Sequence, residues 1–218
     1  MPEYILHNYF RSTTSLRVRV ALNLKGLAYD YVPYALLDKE HKSVDYLKLN
    51  PQGLVPALEI KDKAVLTQSM AILEYLDEVH PEPPLLPRNA LGRARVRALA
   101  GIIAVDIHPI NNLRVLKYLE AEFGADAQAK KVWFQEWAHA GMAALEARLA
   151  NESETGKFCH GDNPTMADIC LYAQMFNNER FGMDMGAYPT IMEIYRQCGQ
   201  MKAFREAAPL QQVDALTQ

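Results

Sequence analysis

Along the first part of the chain the apolar residues switch between strand-like and helix-like spacing. Tyr4–Phe10 is a β-prone run and predicts a strand. Ser12-Thr13-Thr14-Ser15 then offers a cluster of helix caps. Leu16, Val20 and Leu24 follow at i, i+4, i+8, and Lys25-Gly26 supplies a stop, so a helix is expected between. Tyr29–Val32 reads as a second strand, and Lys39–Leu49 as a short polar helical region that ends before Asn50-Pro51. Val55–Ile60 and Ala64–Leu66 flank Lys61-Asp62-Lys63 and predict a hairpin. Ser69 opens a helix whose Ile72, Leu73, Leu76 and Val79 form one stripe. The order β-α-β, connector, β-β-α predicts a small mixed sheet covered by helices.

The pattern changes at His80. Four prolines in the seven positions 81–87 cannot continue a helix and mark a linker. Beyond it Arg93–Val105, Asn111–Glu122, Ala129–Ala150, Met166–Phe176 and Tyr188–Gln200 all read as helices, with no strand alternation of comparable length. The expected architecture is an α/β domain over residues 1–84 and an all-α domain over residues 89–218. Thr165-Met166-Ala167-Asp168 has the form of a capping box, a structural feature. Trp133 and Trp137, four apart, are expected in the core.

Charge and composition narrow the function. The chain has 218 residues, 23 Lys/Arg against 26 Asp/Glu, so the basic footprint of a nucleic-acid binder is missing. No apolar run approaches the ~18 residues of a membrane span. Met1-Pro2-Glu3 is not a basic stretch leading into an apolar one, so no secretory signal is expected. Cys159, Cys170 and Cys198 are few, odd in number and widely spaced, which disfavours a disulfide framework and fits a reducing cytoplasm. All three are expected to be buried and inert. There is no Gly-rich phosphate loop, no His-Glu-x-x-His and no Cys-x-x-Cys, and the six histidines never pair at metal-ligand spacing. No metal is expected.

The first strand-to-helix turn is the most informative place. A helix N-terminus offers unpaired N–H groups and partial positive charge, and it stabilises a thiolate. This turn holds only hydroxyls, so a thiol there must arrive with a ligand. Ser12 and Thr14 can donate hydrogen bonds to a sulfur anion; read alone, they are equally helix caps. Pro56 at the start of a strand suggests a cis Val55-Pro56 peptide that turns the backbone of Val55 toward a passing peptide. Ser69 and the amides beside it form a natural carboxylate site, or a plain cap.

Together these segments resemble the zeta class of the glutathione transferase superfamily, which includes maleylacetoacetate isomerases. Members carry Ser-Ser-Cys-Ser before Arg-Val-Arg-Ile-Ala-Leu; here the run is Ser12-Thr13-Thr14-Ser15-Leu16-Arg17-Val18-Arg19-Val20-Ala21-Leu22. Asn50-Pro51 with Val55-Pro56, Gln68-Ser69 before Ala71-Ile72, Asp106-Ile107-His108-Pro109-Ile110-Asn111-Asn112 and Glu179-Arg180-Phe181 also match. The likeness covers essentially the whole chain. It implies a thioredoxin-like domain followed by a helical bundle, a cytoplasmic homodimer, and glutathione as cofactor. It also implies cis–trans isomerisation of a small unsaturated diketo acid, in which the thiol of glutathione is the nucleophile.

The same resemblance implies the roles of individual residues. Ser12 is expected to donate to the sulfur, with Thr13 and Thr14 assisting. Ser12, Thr14, Ser15, His41, Val55, Gln68, Ser69, His108 and Asn112 are expected around glutathione. His108 and Asn112, four apart, are expected on one side of one helix. Arg11 and Arg180 are expected to hold the carboxylates of a small dicarboxylate substrate. Thr14 departs from the family cysteine, a substitution shared with glutathione-dependent maleylpyruvate isomerases. It speaks against reductive dehalogenation, which needs a protein thiol at that position. Maleylacetoacetate is the first expectation; maleylpyruvate isomerisation, general conjugation and a non-catalytic binding module are the alternatives.

Overall fold

Strand pairing begins with Tyr4–Asn8 (β1), the centre of a four-stranded sheet in the computed structural model, which describes residues 2–216. Tyr29–Pro33 (β2) pairs with β1 in parallel, Tyr4 opposite Tyr29. Ala57–Ile60 (β3) runs antiparallel on the other side, with Leu6 opposite Leu58, and Ala64–Thr67 (β4) closes the order β2-β1-β3-β4. A parallel pair needs a crossover, and Thr13–Leu24 (α1) supplies it. The short Val44–Leu49 (α2) leads into β3, and Ser69–Val79 (α3) packs beside α1. Leu6, Leu16, Val20, Leu58, Ile72, Leu73 and Leu76 are fully buried. Each such side chain contributes roughly 1.5–3 kcal/mol by leaving water. The expected strand to Phe10 ends at Asn8, because Ser12 N–H turns back to the Tyr9 carbonyl (3.0 Å) and starts the site-bearing turn.

Among the described residues, 2–85 form one unit together with 199–216; Leu86–Cys198 form the other. The segment after Gly199, which the sequence pattern groups with the helical domain, packs with α1 instead. Its Lys202–Ala207 helix receives Asn23 Nδ2 on the Ala203 carbonyl (3.0 Å) and Arg19 Nε on the Ala207 carbonyl (2.9 Å). Six residues are too few for a period to declare which face is buried. The proline-rich linker is anchored too: buried Lys25 donates to Asp77 (3.1 Å) and to the carbonyls of His80 (2.6 Å) and Pro83 (2.9 Å).

The second unit is helical: Ala90–Gly101 (α4), Leu113–Phe123 (α5), Ala127–Asn151 (α6), Met166–Arg180 (α7) and Pro189–Gln200 (α8). The expected capping box is present: buried Asp168 accepts from Thr165 N–H (2.7 Å) and Thr165 Oγ1 (2.8 Å), and also from Cys159 N–H (2.7 Å). Buried Arg95 ties Glu152 (2.6 Å) to the Cys159 carbonyl (2.6 Å) and Thr155 (2.9 Å). Cys159, Cys170 and Cys198 are buried and form no disulfide, and burial pushes the thiols of Cys159 and Cys198 up. Trp133 is half-buried and donates to the Ile110 carbonyl (3.0 Å). Trp137, expected in the core, lies edge-on to Trp133 and is 42% exposed. Its place on α6 falls outside the buried face of Phe134, Ala138, Met142 and Leu145. Among the described residues no helix is long and apolar enough to cross a membrane.

Candidate functional site

Ser12 sits in extended backbone at the head of α1, and its Oγ accepts the N–H of Ser15 (3.2 Å). This capping leaves the serine proton for another partner. Ser12 Oγ lies 2.8 Å from Thr14 Oγ1, and Thr14 Oγ1 lies 2.9 Å from the Val55 carbonyl. A carbonyl oxygen only accepts, so Thr14 spends its single proton on Val55 and Ser12 donates to Thr14. The two hydroxyls thus form a directed chain, Ser12 to Thr14 to Val55, across the helix N-terminus. Both are half-buried. Thr13 and Ser15 are buried, at 3% and 0% exposure. The turn therefore divides its four hydroxyl residues into an accessible pair and an interior pair.

Val55 is brought to this turn by a loop held through side-chain hydrogen bonds. The Val55-Pro56 peptide is cis, as the sequence suggests. Tyr46 Oη (2.6 Å) and Asn50 Nδ2 (2.7 Å) both donate to the Leu54 carbonyl, and Asn50 Oδ1 accepts from Gln52 N–H (3.1 Å). Burial raises the phenol of Tyr46, keeping it a donor. Gly53 has φ +57°, a backbone conformation that favours glycine. Lys42 donates to the Gln52 carbonyl (3.2 Å), and the carbonyl of the neighbouring His41 lies beside Gly53. Half-buried His41 is thereby carried on a turn, Glu40–Lys42, that abuts this loop.

The third wall is the head of α3. Gln68 occupies the cap position at φ +66° with no side-chain cap, and its Nε2 donates to Gln52 Oε1 (2.8 Å) instead. Ser69 is the first helical residue and is buried. Behind it lies Arg17, buried at 1% exposure, with Nη1 3.4 Å from Ser69 Oγ and with Nε and Nη2 lacking a protein partner. A buried guanidinium and an N-terminal helix dipole act in the same direction and favour an anion at α3. Arg17, Gln52, Tyr46 and Asn50 were not candidates from sequence. An arginine inside a helix reads as a surface residue, which hides Arg17 from the sequence. Arg11 is exposed at the turn, its guanidinium 5.0 Å from the Phe10 ring centroid.

Three candidates lie in the second unit. After α4 the backbone widens into a π-helical segment, Ile102–Ile107, where His108 N–H bonds the carbonyl five residues back, Ile103 (2.9 Å). Pro109 has no N–H to continue the helix, so Asn112 becomes the cap of α5, accepting Arg114 N–H (3.1 Å). His108 Nε2 and Asn112 Nδ2 do meet, at 3.4 Å. They meet across a break between helices, not on one helix face as the spacing suggests. Arg180 is exposed at the end of α7, 5.7 Å from the centroid of Phe181, which stacks on Phe134 at 3.9 Å. Among the described residues no cluster of three His, Cys, Asp or Glu side chains is placed to hold a metal ion.

Two family models match the chain: glutathione S-transferase, N-terminal domain, over residues 11–79, and glutathione S-transferase, C-terminal domain, over residues 109–207. A maleylpyruvate isomerase from a Ralstonia species is 49% identical over 96% of this chain and 99% of its own length. A solved holo structure of a maleylpyruvate isomerase, described as a bacterial zeta-class glutathione S-transferase, superposes with a TM-score of 0.94 at 48% identity, covering 96% of this chain and 99% of that one. A maleylacetoacetate isomerase from Methylobacterium extorquens AM1, solved with bound malonate and GSH, gives a TM-score of 0.93 at 40% identity, covering 95% and 97% of the two chains.

Proposed function

The chain belongs to the glutathione S-transferase family, and from that premise we propose that it is a glutathione-dependent cis–trans isomerase of a small unsaturated diketo acid of the maleylacetoacetate or maleylpyruvate type. The observation that carries this reading is the hydroxyl chain of Ser12, Thr14 and the Val55 carbonyl at the head of α1, a thiolate site with no thiol of its own. When bound, glutathione supplies a nucleophilic thiolate whose reversible addition converts a double bond into a rotatable single bond.

The protein's own residues bind, orient and hold protons. Ser12 turns its O–H from Thr14 to the sulfur, while Thr14 keeps its proton on Val55 and fixes the distance between helix and loop. Thr13 and Ser15 support the turn from within. The backbone of Val55 pairs with the peptide, and Gln68 with Ser69 takes the carboxylate of its γ-glutamyl end. The orphaned nitrogens of Arg17 fit that role for α3, because a buried cation gains from an anion on the other side of Ser69. His41 reaches toward the glycine end, and His108 and Asn112 complete the cofactor contacts.

Arg11 and Arg180 hold the carboxylates of the substrate and so align its alkene. The Methylobacterium relative, solved with bound malonate and GSH, supports a dicarboxylate ligand here. The active form is a homodimer; that it works in a reducing cytoplasm is in keeping with three buried cysteines that form no disulfide. The test is an isomerisation assay with both maleylacetoacetate and maleylpyruvate, using thoroughly dialysed protein with and without added glutathione. Turnover of one substrate that appears only with glutathione is expected. Comparable turnover by the dialysed protein refutes the reading.

A further inference from the structure

Phe10, in the middle of the turn that presents Arg11 and Ser12, is gripped at both ends of its backbone by buried charge. Its N–H donates to Asp214 Oδ2 at 3.0 Å, and its carbonyl accepts from Arg19 Nη2 at 2.9 Å. The other oxygen of Asp214 accepts the hydroxyl of Tyr31 at 2.6 Å. Arg19 also reaches Asn8 Oδ1 (2.9 Å), the Tyr9 carbonyl (3.4 Å) and, through Nε, the Ala207 carbonyl (2.9 Å). Arg19 is fully buried, and Asp214, on the short helical turn Val213–Leu216, is 7% exposed.

Stability alone is a poor reason for this arrangement. Taking a guanidinium and a carboxylate out of water costs several kcal/mol each, and apolar packing of similar volume often does as well. What a charged hydrogen bond adds is direction and a short, fixed length. Two of them on one residue hold Phe10 from opposite sides, and the next two residues are Arg11 and Ser12. We infer that Asp214 and Arg19 are positioning residues for the proposed reaction: through Phe10 they set where the Ser12 hydroxyl and the Arg11 guanidinium stand. The inference rests on the reading of this turn as the thiol site. It assigns a role to a segment some two hundred residues away in sequence, whose Asp214 meets the turn through the backbone of Phe10.

The experiment compares full-length Asp214→Ala, Asp214→Asn and Tyr31→Phe. Three quantities are read: the apparent pKa of the thiol of bound glutathione from its thiolate absorbance, kcat and KM separately, and Tm. Asp214→Ala is expected to raise the bound thiol's pKa by about one unit. Its kcat should drop between about ten- and a hundredfold, the scale of a small misplacement of a reacting group. Asp214→Asn keeps an acceptor for Phe10 N–H and should recover most of both. Tyr31→Phe leaves the Phe10 bond intact, so it should lower Tm while keeping kcat and the thiol pKa near wild type.

A folded Asp214→Ala protein with wild-type thiol ionisation and kcat overturns the inference, as does a Tyr31→Phe variant that loses kcat to the same degree. Should Asp214→Ala not fold, Asp214→Glu takes its place. That variant keeps the charge but pushes Phe10 out by one methylene, so wild-type kcat and thiol ionisation in it also overturn the inference. Ser12→Ala separates the two levels. If the bound thiol does not respond to Ser12→Ala, the reading of the turn itself falls. If it responds to Ser12→Ala and not to Asp214→Ala, only the positioning role falls.

Discussion

Removing the hydroxyl of Ser12 should damage catalysis and stability by different routes, and two substitutions can separate them. The side chain caps α1 through Ser15 N–H and donates to Thr14. Ser12→Ala removes the cap, which costs about 1 kcal/mol, or roughly 2–4 °C in Tm for a chain of this size. Ser12→Gly costs only a few tenths of a kcal/mol at a cap position. Both lack the proposed hydrogen bond to the sulfur, a charged partner worth about 1.5–3 kcal/mol. That corresponds to between one and two decades in rate. Turnover should therefore fall by about ten- to a hundredfold in both variants, while Tm falls visibly in only one. Thr14→Val keeps the shape, leaves Ser12 its cap and its proton, and should cost less turnover than either. The assay is steady-state isomerisation with saturating glutathione beside thermal unfolding of the same samples. Refutation would come from Ser12→Gly turning over like wild type, or from Thr14→Val proving the more damaging, which would set the thiolate over Thr14.

Other expectations follow from the rest of the structure. Arg11→Met or Arg180→Met should leave glutathione affinity intact but reduce kcat/KM for the diacid by about ten- to a hundredfold; an equal loss with an uncharged electrophile in a conjugation assay would remove the dicarboxylate role. Asp168→Ala strands the buried N–H groups of Thr165 and Cys159 and should cost about 3–5 kcal/mol, seen as a fall of roughly 10 °C in Tm, with glutathione affinity in the folded protein unchanged. Hydrogen bonding from Arg148, then Arg95, holds the Glu152 carboxyl below the usual carboxylate range. A depressed acid stabilises the fold above its unfolded pKa and loses that contribution as pH falls through the folded value. Glu152→Gln should therefore be less stable than wild type by at most about 1 kcal/mol at neutral pH, the pair being partly exposed. The gap should close in acid, and denaturant midpoints measured at several pH values check the closure.

The elements of the first unit were legible because each follows a local rule. Ser12 and Ser69 open α1 and α3, and the residues around Lys61-Asp62-Lys63 turn a hairpin. Ser12, Thr14, Val55, Gln68 and Ser69 were visible for the same reason, since a turn, a proline and a helix start announce themselves in sequence. Arg17 and Arg19 were not, because nothing in a helical period distinguishes an arginine that snorkels to water from one sealed beneath a sheet. Asp214 was invisible for a different reason: its partners, Phe10 and Tyr31, are brought to it only by the fold. The break at Pro109 shows the limit of spacing. His108 and Asn112 do touch, but the four-residue separation found them through the wrong local structure.

The location of the cysteines has a consequence for how long each molecule of the catalyst survives. Conjugated diketo acids of the proposed substrate class are alkylating agents, and an exposed thiolate in their path is consumed sooner or later. This chain presents none. Threonine occupies the turn, and Cys159, Cys170 and Cys198 are sealed in the helical unit, with burial keeping the thiols of Cys159 and Cys198 protonated. The thiol that meets the electrophile belongs to a small molecule in exchange with solvent. Irreversible adducts therefore leave with the glutathione that formed them, and inactivation by the substrate falls on a replaceable reagent and not on the polypeptide.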